Sequence, residues 1–326
     1  MLRIEEIRAV AVIGAGVMGS GIAQTFAQAG YAVRLHARRE GTLQAALSRI
    51  AENQAILVQA GLLDDAAAGE SLTRIRPTTD LREAVRGCPF ISESVPENLT
   101  AKREVFAALD RWAEQEAILT TDTSGLSISA IAAATTRPET VAGFHWMNPP
   151  HLMPPVEVIR GERTSDATMD LVCGLARRIG RIPIRVEKDV PGFLWNRLQL
   201  ALVREALHVV EQGIAEPEAV DQALTVGLGL RWAAVGPLRL MDLGGLTTFH
   251  AIAGYLYRDL SAAQEPQPLL ADKVAAGNTG LKAGRGFYEY QAGAGDAAVA
   301  ARDARLLELL KLLRLPAFRR DEPSAC

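Results

Sequence analysis

The sequence predicts an α/β fold in two parts, a doubly wound parallel sheet followed by an all-α C-terminal domain. Three observations predict it. Short continuous apolar runs alternate with helical periods through the first half, as in strands covered on both faces. A glycine-rich turn, Gly14-Ala15-Gly16-Val17-Met18-Gly19, joins the first run to the first helical stretch. After Asp189 the break Val190-Pro191-Gly192 ends this texture, and helical period dominates the rest of the chain.

Taken in order, Ala9–Ile13 (AVAVI) is the first strand and residues 17–29 the first helix. Residues 33–36 form a second short strand, and a long helix begins near Thr42. Residues 90–94, 117–120, 141–145, 156–159 and Ile182–Val186 are further strands, with helices between most of them. Such β–α alternation implies parallel pairing, hence a Rossmann-type domain over residues 1–188. In the remainder, Leu198, Leu202, Ala206 and Val209 share one helical face, and turns at Gly213, Gly236-Pro237 and Gly244-Gly245 punctuate the chain. The helical domain is placed at 189–318, with a frayed polar tail over 319–326.

The whole chain narrows the function classes. With 326 residues, 48% of them apolar, it is long enough to bury two cores. A formal charge of −3, with both signs interspersed, offers no nucleic-acid footprint and no basic membrane-surface helix. Cys88, Cys173 and Cys326 lie far apart without CxxC spacing, which fits a reducing compartment and neither disulfides nor a zinc cage. No ligand cluster suggests any metal. No signal segment opens the sequence, and no apolar run reaches the roughly 20 residues that span a bilayer, so a cytoplasmic protein is expected.

The glycine turn follows a strand and opens a helix, the setting in which GxGxxG binds a dinucleotide. Gly14 allows the tight turn, Gly16 lets backbone approach a pyrophosphate, and Gly19 lets helix and strand pack, with Val17 and Met18 opening the helix. NAD enzymes usually carry an acidic residue after the second strand, for the ribose hydroxyl. Here Ala37 stands there, followed by Arg38 and Arg39. Without a carboxylate, a 2′-phosphate is not repelled and an arginine can pair with it, so NAD or NADP is expected, with NADP accepted. Alternatively, the arginines are solvated turn residues and Glu40 serves the ribose.

His145 ends a strand, and Glu157 lies in the next one, PPVEV. Neighbouring strand ends can bring them together, and such a pair suits hydroxyl oxidation. The imidazole takes the proton as hydride leaves carbon, and the carboxylate stabilises the imidazolium. A His–Glu pair by itself is also a common structural contact, and the chain has five histidines.

At these residues the chain resembles the 3-hydroxyacyl-CoA dehydrogenase family over nearly its whole length. The matching segments are VAVIGAGVMGSGIA, SVPENLTAKREVF, TDTSGLSIS, GFHWMNPP with PVEVI, KDVPGFLWNRL, GPLRLMDLGGL and GLKAGRGFYEY. The resemblance implies His145 as general base and acid, Glu157 as its orienting partner, and Ser124 and Asn196 as hydrogen-bonding residues around the substrate oxygen and nicotinamide. It further implies Glu97, Lys102, Asn148 and Lys282 as cofactor contacts. Each has a structural alternative: Ser124 as a helix cap, Asn196 as a helix-start residue, Lys102 as a solvated helix lysine. Ser127 reads as a cap, and His36 is placed near the adenosine.

The resemblance leaves two substrate classes open. CoA-binding members contact the CoA nucleotide from the long helix after the second strand, through a serine and lysines. Here those positions fall on Asn53 and Ala60, and Arg49 is the one cation of a lysine-free stretch. The MNPP after His145 and the run GLGLRWAAVGPL look more like a subgroup acting on free small acids. It includes gulonate 3-dehydrogenase of the lambda-crystallin type, carnitine dehydrogenase and a pyridine-carboxylate dehydrogenase. Arg197 and Arg231 would then be carboxylate partners, unless they are simply exposed helix arginines. GLKAGRGFYEY favours the short-chain 3-hydroxyacyl-CoA reading instead. A non-catalytic crystallin-like binding protein is a third reading, but it should have lost part of the His145, Glu157, Ser124 and Asn196 set. The expected enzyme binds a small-molecule substrate between its domains and dimerises through apolar helices of the C-terminal helical domain.

Overall fold

The computed structural model describes residues 2–291 and 293–313. It divides into two compact units. The first runs to Asn196 and is rejoined at Asp303, and the second is Arg197–Arg302.

The first unit holds strands β1 (Ala9–Ile13), β2 (Ala32–His36), β3 (Ile75–Thr78), β4 (Phe90–Glu93), β5 (Ile118–Thr121), β6 (Val141–Trp146), β7 (Pro155–Ile159) and β8 (Ile182–Val186). Its helices are α1 (Val17–Gln28), α2 (Glu40–Gln59), α3 (Asp65–Thr73), α4 (Leu81–Val85), α5 (Leu99–Trp112), α6 (Ile128–Ala132) and α7 (Asp166–Arg178). The strands form one eight-stranded sheet in the order β3-β2-β1-β4-β5-β6-β7-β8. The Rossmann-type expectation holds. The continuous apolar reading of β1 also has its cause: Val10 and Val12 enter the core on one face of the sheet, Ala11 and Ile13 the core on the other.

Two features depart from the sequence reading. Pairing is parallel except between β6 and β7, which run antiparallel. Only residues 147–154 join them, and a parallel crossover needs a dozen or more residues, usually a helix. β3 was not expected at all. Its four residues, IRPT, bury only Ile75, and its proline is tolerated because the strand is at the sheet edge.

Helix α8 (Trp195–Glu211) leads out of the first unit. The second unit continues with α9 (Pro217–Gln222), α10 (Leu230–Ala234), α11 (Pro237–Gly244), α12 (Leu246–Leu256) and α13 (Pro268–Ala275). Side chains of α8 hold a loop and a helix start: Glu205 accepts from Ser261 N at 2.7 Å and Glu211 from Leu269 N, in the first turn of α13, at 2.8 Å. Large apolar side chains stay exposed here, Leu198 at 62% and Leu238 at 77% among them.

The last described helix, α14 (Ala294–Leu313), begins in the second unit and belongs to the first from Asp303 on. By sequence this stretch belongs to the helical domain. In the structure Leu307 and Leu310 are buried with Leu57 of α2 and Leu152 of the 147–154 loop, and Ala60, Leu62 and Leu63 pack against them. A fully buried leucine contributes roughly 1.5–3 kcal/mol, so this contact is a substantial anchor. The expected tail, 319–326, and Cys326 within it lie outside the described residues. Among the described residues no helix is long and apolar enough to cross a membrane.

Candidate active site

A cavity of about 1090 Å³ lies across the carboxyl ends of β1, β2, β4 and β5, lined by Ile13, His36, Ser94 and Asp122 at those ends. It covers the point between β1 and β4 where the strand order reverses, the crevice in which doubly wound sheets bind ligands. Gly14 makes the turn with φ +111°, and a Cβ on it would sit 2.2 Å from the Ser94 carbonyl oxygen. At Gly19 a Cβ would sit 1.9 Å from the Gly14 oxygen, so only glycine lets α1 pass this close to the turn.

These residues fit a dinucleotide. Helix α1 starts after Gly16 with no side-chain cap, leaving first-turn amides for phosphate oxygens. A Cβ on Gly16 would meet no protein atom within 4 Å, so backbone there is open to a ligand's approach. At the β2 end the wall is His36, Ala37, Arg38 and Arg39, facing Val105, Ala108 and Trp112 of α5. Burial lowers the pKa of His36, which favours its neutral form against an adenosine.

At the other end a buried ion pair lies behind the wall. Lys102 of α5 is 1% exposed, and its Nζ donates to Glu93 Oε1 at 2.8 Å, Glu93 Oε2 at 3.1 Å and the Val95 carbonyl at 3.2 Å. Glu97 lies 3.6 Å from the same ammonium. Its Oε1 accepts from Thr123 Oγ1 at 2.6 Å, Ser124 N at 2.9 Å and Gly125 N at 3.2 Å. The chain of bonds Glu93–Lys102–Glu97 therefore fixes the turn that carries Ser124.

One strand further, His145 and Glu157 are direct cross-strand partners in the antiparallel pair. Residues opposite each other on such a ladder put their side chains on one face, 4.5–5.5 Å apart at Cβ. His145 Nδ1 is 2.8 Å from Glu157 Oε2. The other oxygen, Oε1, accepts from Leu194 N at 3.0 Å and Trp195 N at 2.8 Å, the amides that open α8. With both oxygens held, Glu157 fixes the ring so that Nδ1–H faces the carboxylate and Nε2 lies on the far side of the ring. Phe193 and Trp195 flank the imidazole, with ring centroids 5.8 and 5.4 Å away.

Asp122, just past β5, is buried beside this pair. Its Oδ1 accepts from Trp146 N at 2.9 Å and its Oδ2 from Ser94 Oγ at 3.1 Å. Burial pushes its carboxyl up to about 7, against the pull of the Trp146 amide and of His145.

Residues 9–190 match the family described as 3-hydroxyacyl-CoA dehydrogenase, NAD binding domain, and residues 192–290 match its C-terminal domain. The chain belongs to the 3-hydroxyacyl-CoA dehydrogenase family. It is an oxidoreductase with an NAD-binding domain, of a family acting on CH–OH donors. It is 36% identical over 308 residues to 5-formyl-3-hydroxy-2-methylpyridine 4-carboxylate 5-dehydrogenase of Mesorhizobium japonicum, covering 94% of this chain and 98% of that protein. To the probable 3-hydroxybutyryl-CoA dehydrogenase of Bacillus subtilis it is 40% identical, covering 88% of this chain and 98% of the other. A crystal structure of the pyridine-carboxylic acid dehydrogenase, described as an NAD+ dependent dismutase, aligns with TM-score 0.87 at 36% identity, over 94% of this chain and 99% of that one.

Within this family member the structure brings many of the sequence-selected residues together. Gly14, Gly16, Val17, Met18, Arg38, Arg39, Glu97 and Ser124 line the cavity, with Gly19 packed behind the turn. Asn196 Nδ2 donates to the Ser124 carbonyl at 2.7 Å. Ser124 is not a helix cap: Ser127 caps α6 through Ala130 N, and Thr123 Oγ1 takes Leu126 N. Lys102 is neither solvated nor in the cavity wall, because Glu93 needs its charge. Asn148 is exposed in the 147–154 loop. Arg197, Arg231 and Lys282 belong to the second unit, on α8, α10 and the turn Leu281–Ala283. Glu93 and Asp122 are not among the residues that the sequence patterns single out. The signal was there: a carboxylate inside FISE, a run read as a buried strand, demands a partner, and Asp122 sits in the TDTSG motif.

Proposed function

We propose that this enzyme is an NAD-dependent dehydrogenase of a small free hydroxy acid, in which His145 is the general base and acid. The observation that carries the substrate class is the seating of Leu307 and Leu310 on α2. CoA-binding relatives are expected to hold the CoA nucleotide on this helix. Here the Ala60 position lies against the leucines of α14, and Arg49 donates to Ser20 Oγ at 3.3 Å. Asn53 donates to Gln24 Oε1 at 3.2 Å and stands 3.5 Å from His151 Nδ1. An anionic nucleotide finds a lysine-free surface whose one cation, Arg49, is turned to Ser20 and whose Ala60 end is occupied by the α14 leucines. The 94% coverage by the pyridine-carboxylate dehydrogenase, which takes in more of this chain than the 88% of the Bacillus subtilis relative, supports the same reading.

In the oxidative direction His145 Nε2 takes the substrate hydroxyl proton while Glu157 holds Nδ1 and stabilises the imidazolium. Bound nicotinamide supplies the hydride acceptor. Ser124 Oγ and the Asn196 amide donate to the oxygen as it becomes a carbonyl. Gly16 and the α1 N-terminus take the pyrophosphate, and Glu97 with its Lys102 support shapes the ring end. Arg38 and Arg39, with Ala37 in place of an acid, let NADP bind as well. Asn148 is the remaining cofactor contact of the first unit. Exposed Leu198, Leu238 and neighbours on the helical unit support a homodimer, and the free thiols of Cys88 and Cys173 fit a reducing cytoplasm.

The other reading, a short-chain 3-hydroxyacyl-CoA dehydrogenase, is favoured by the 40% identity to the Bacillus subtilis relative. Oxidation of NADH with acetoacetyl-CoA, against a panel of free 3-keto acids and aromatic aldehyde acids, separates the two. Turnover of free acids alone is expected. Efficient turnover of the thioester would overturn the free-acid reading.

A further inference from the structure

Asp122 is the acidic side chain of the cavity wall with neutral donors only. Its carboxyl, 8% exposed as a residue, is held by the Trp146 amide and the Ser94 hydroxyl. The charged groups packed around it are already matched. Lys102 of α5 pairs with Glu93 of β4, with Glu97 beyond, and His145 of β6 pairs with Glu157 of β7. Nothing in the fold requires a charge at Asp122, since an amide would accept the same Trp146 N–H.

The cavity gives that charge a use. With an adenosine at the β2 end and phosphates at the start of α1, a dinucleotide's ring end reaches Ser94 and Asp122, one strand from His145. The oxidised ring is a cation and the reduced ring is neutral. A carboxylate in a dry wall attracts the first and not the second. We propose that Asp122 is a selectivity residue that distinguishes the two redox forms of the nicotinamide by its own charge, ionising beside the oxidised ring and protonated beside the reduced one. This rests on the dinucleotide reading of the site. Its free carboxyl, raised to about 7 by burial, is poised to do so near neutrality.

A proton count accompanies each binding event. Binding of the oxidised form releases a proton from the fraction of Asp122 that is protonated. Binding of the reduced form draws one from solvent. Affinity for the oxidised form therefore rises with pH, by at most tenfold per unit, while affinity for the reduced form does not.

Calorimetric titration with NAD and NADH at pH 6, 7 and 8, in two buffers of different ionisation enthalpy, reads both quantities. In the native protein we expect release of a fraction of a proton with NAD near pH 7 and uptake with NADH. The Kd for NAD should fall about three- to tenfold from pH 6 to 8. Asp122→Asn should abolish the exchange, flatten the profile and favour NADH. Ser94→Ala, which removes one donor to the carboxylate, should move the midpoint to higher pH, and it carries the test if Asp122→Asn does not fold. Native proton release persisting in Asp122→Asn would assign it to His145 and overturn the proposal. So would equal weakening of both forms, or an unmoved midpoint in Ser94→Ala. Failure of the native protein to bind either form would instead refute the dinucleotide reading, and the proposal with it.

Discussion

Glu157 stands directly across the β6–β7 ladder from His145 and divides its two oxygens between that ring and the first amides of α8. One carboxylate thus orients the imidazole and anchors the start of a helix. The arrangement depends on the one antiparallel pair of the sheet. The eight-residue connection that forces this pair also places His145 and Glu157, twelve residues apart in sequence, opposite each other.

Replacing the two partners should therefore have different consequences. His145→Gln is expected to cut turnover by roughly 10²–10⁴ and leave NAD affinity nearly unchanged. Glu157→Ala should cost activity and also stability, by about 1–3 kcal/mol, because the Leu194 and Trp195 amides lose their acceptor. Steady-state kinetics with denaturant melts of both variants check this. A Glu157→Ala protein as stable as the native one would show that water replaces the cap.

At the other end of the cavity, Arg38 and Arg39 follow Ala37, which stands just past the end of β2 where a ribose-binding acid would be. Arg38→Ala with Arg39→Ala is expected to weaken NADP by about tenfold or more and NAD by much less, since the 2′-phosphate is the group they would pair with. Fluorescence titration of the two reduced cofactors measures it. Equal weakening would make the arginines general surface charges.

The Glu93–Lys102 pair is buried on both sides, so breaking it on one side should be severe. Lys102→Met leaves a carboxylate in the core and is expected to cost about 3–5 kcal/mol. Adding Glu93→Gln should recover a large part of that loss, a coupling that a double-mutant cycle reads directly. Near-neutral Lys102→Met would mean that the lysine is a cofactor ligand rather than a structural partner.

Much of this site was legible in the sequence because its parts are local. Strand, glycine turn and helix are contiguous from Ala9 to Gln28, and His145 and Glu157 each sit in a short strand of clear pattern. The less legible features are those set by long-range geometry. β3 lacks an apolar signal because edge pairing needs only Ile75 to be buried. Leu307 and Leu310 read as ordinary helical residues, and nothing in their neighbourhood points to Leu57, some 250 positions earlier. Lys102 matches a family motif, yet its ammonium is held by a strand residue nine positions before it.

Asp122 offers a prediction on stability alone. Burial raises its carboxyl from the ordinary 3.8 to about 7, so the folded protein holds a proton there that the unfolded chain has lost. Between about pH 4 and pH 7 the native state binds more protons, and stability falls as pH rises. The penalty is complete above about 7 and absent below about 4, and it is on the order of a few kcal/mol. Asp122→Asn keeps an acceptor for Trp146 N and never ionises. Without cofactor it is therefore expected to melt several degrees higher than the native protein at pH 8, with the gap narrowing steadily toward pH 4. Paired melts across that range decide it. A gap independent of pH would mean that the carboxyl is already ionised in the fold at every pH tested, and that it carries no burial penalty for the asparagine to remove.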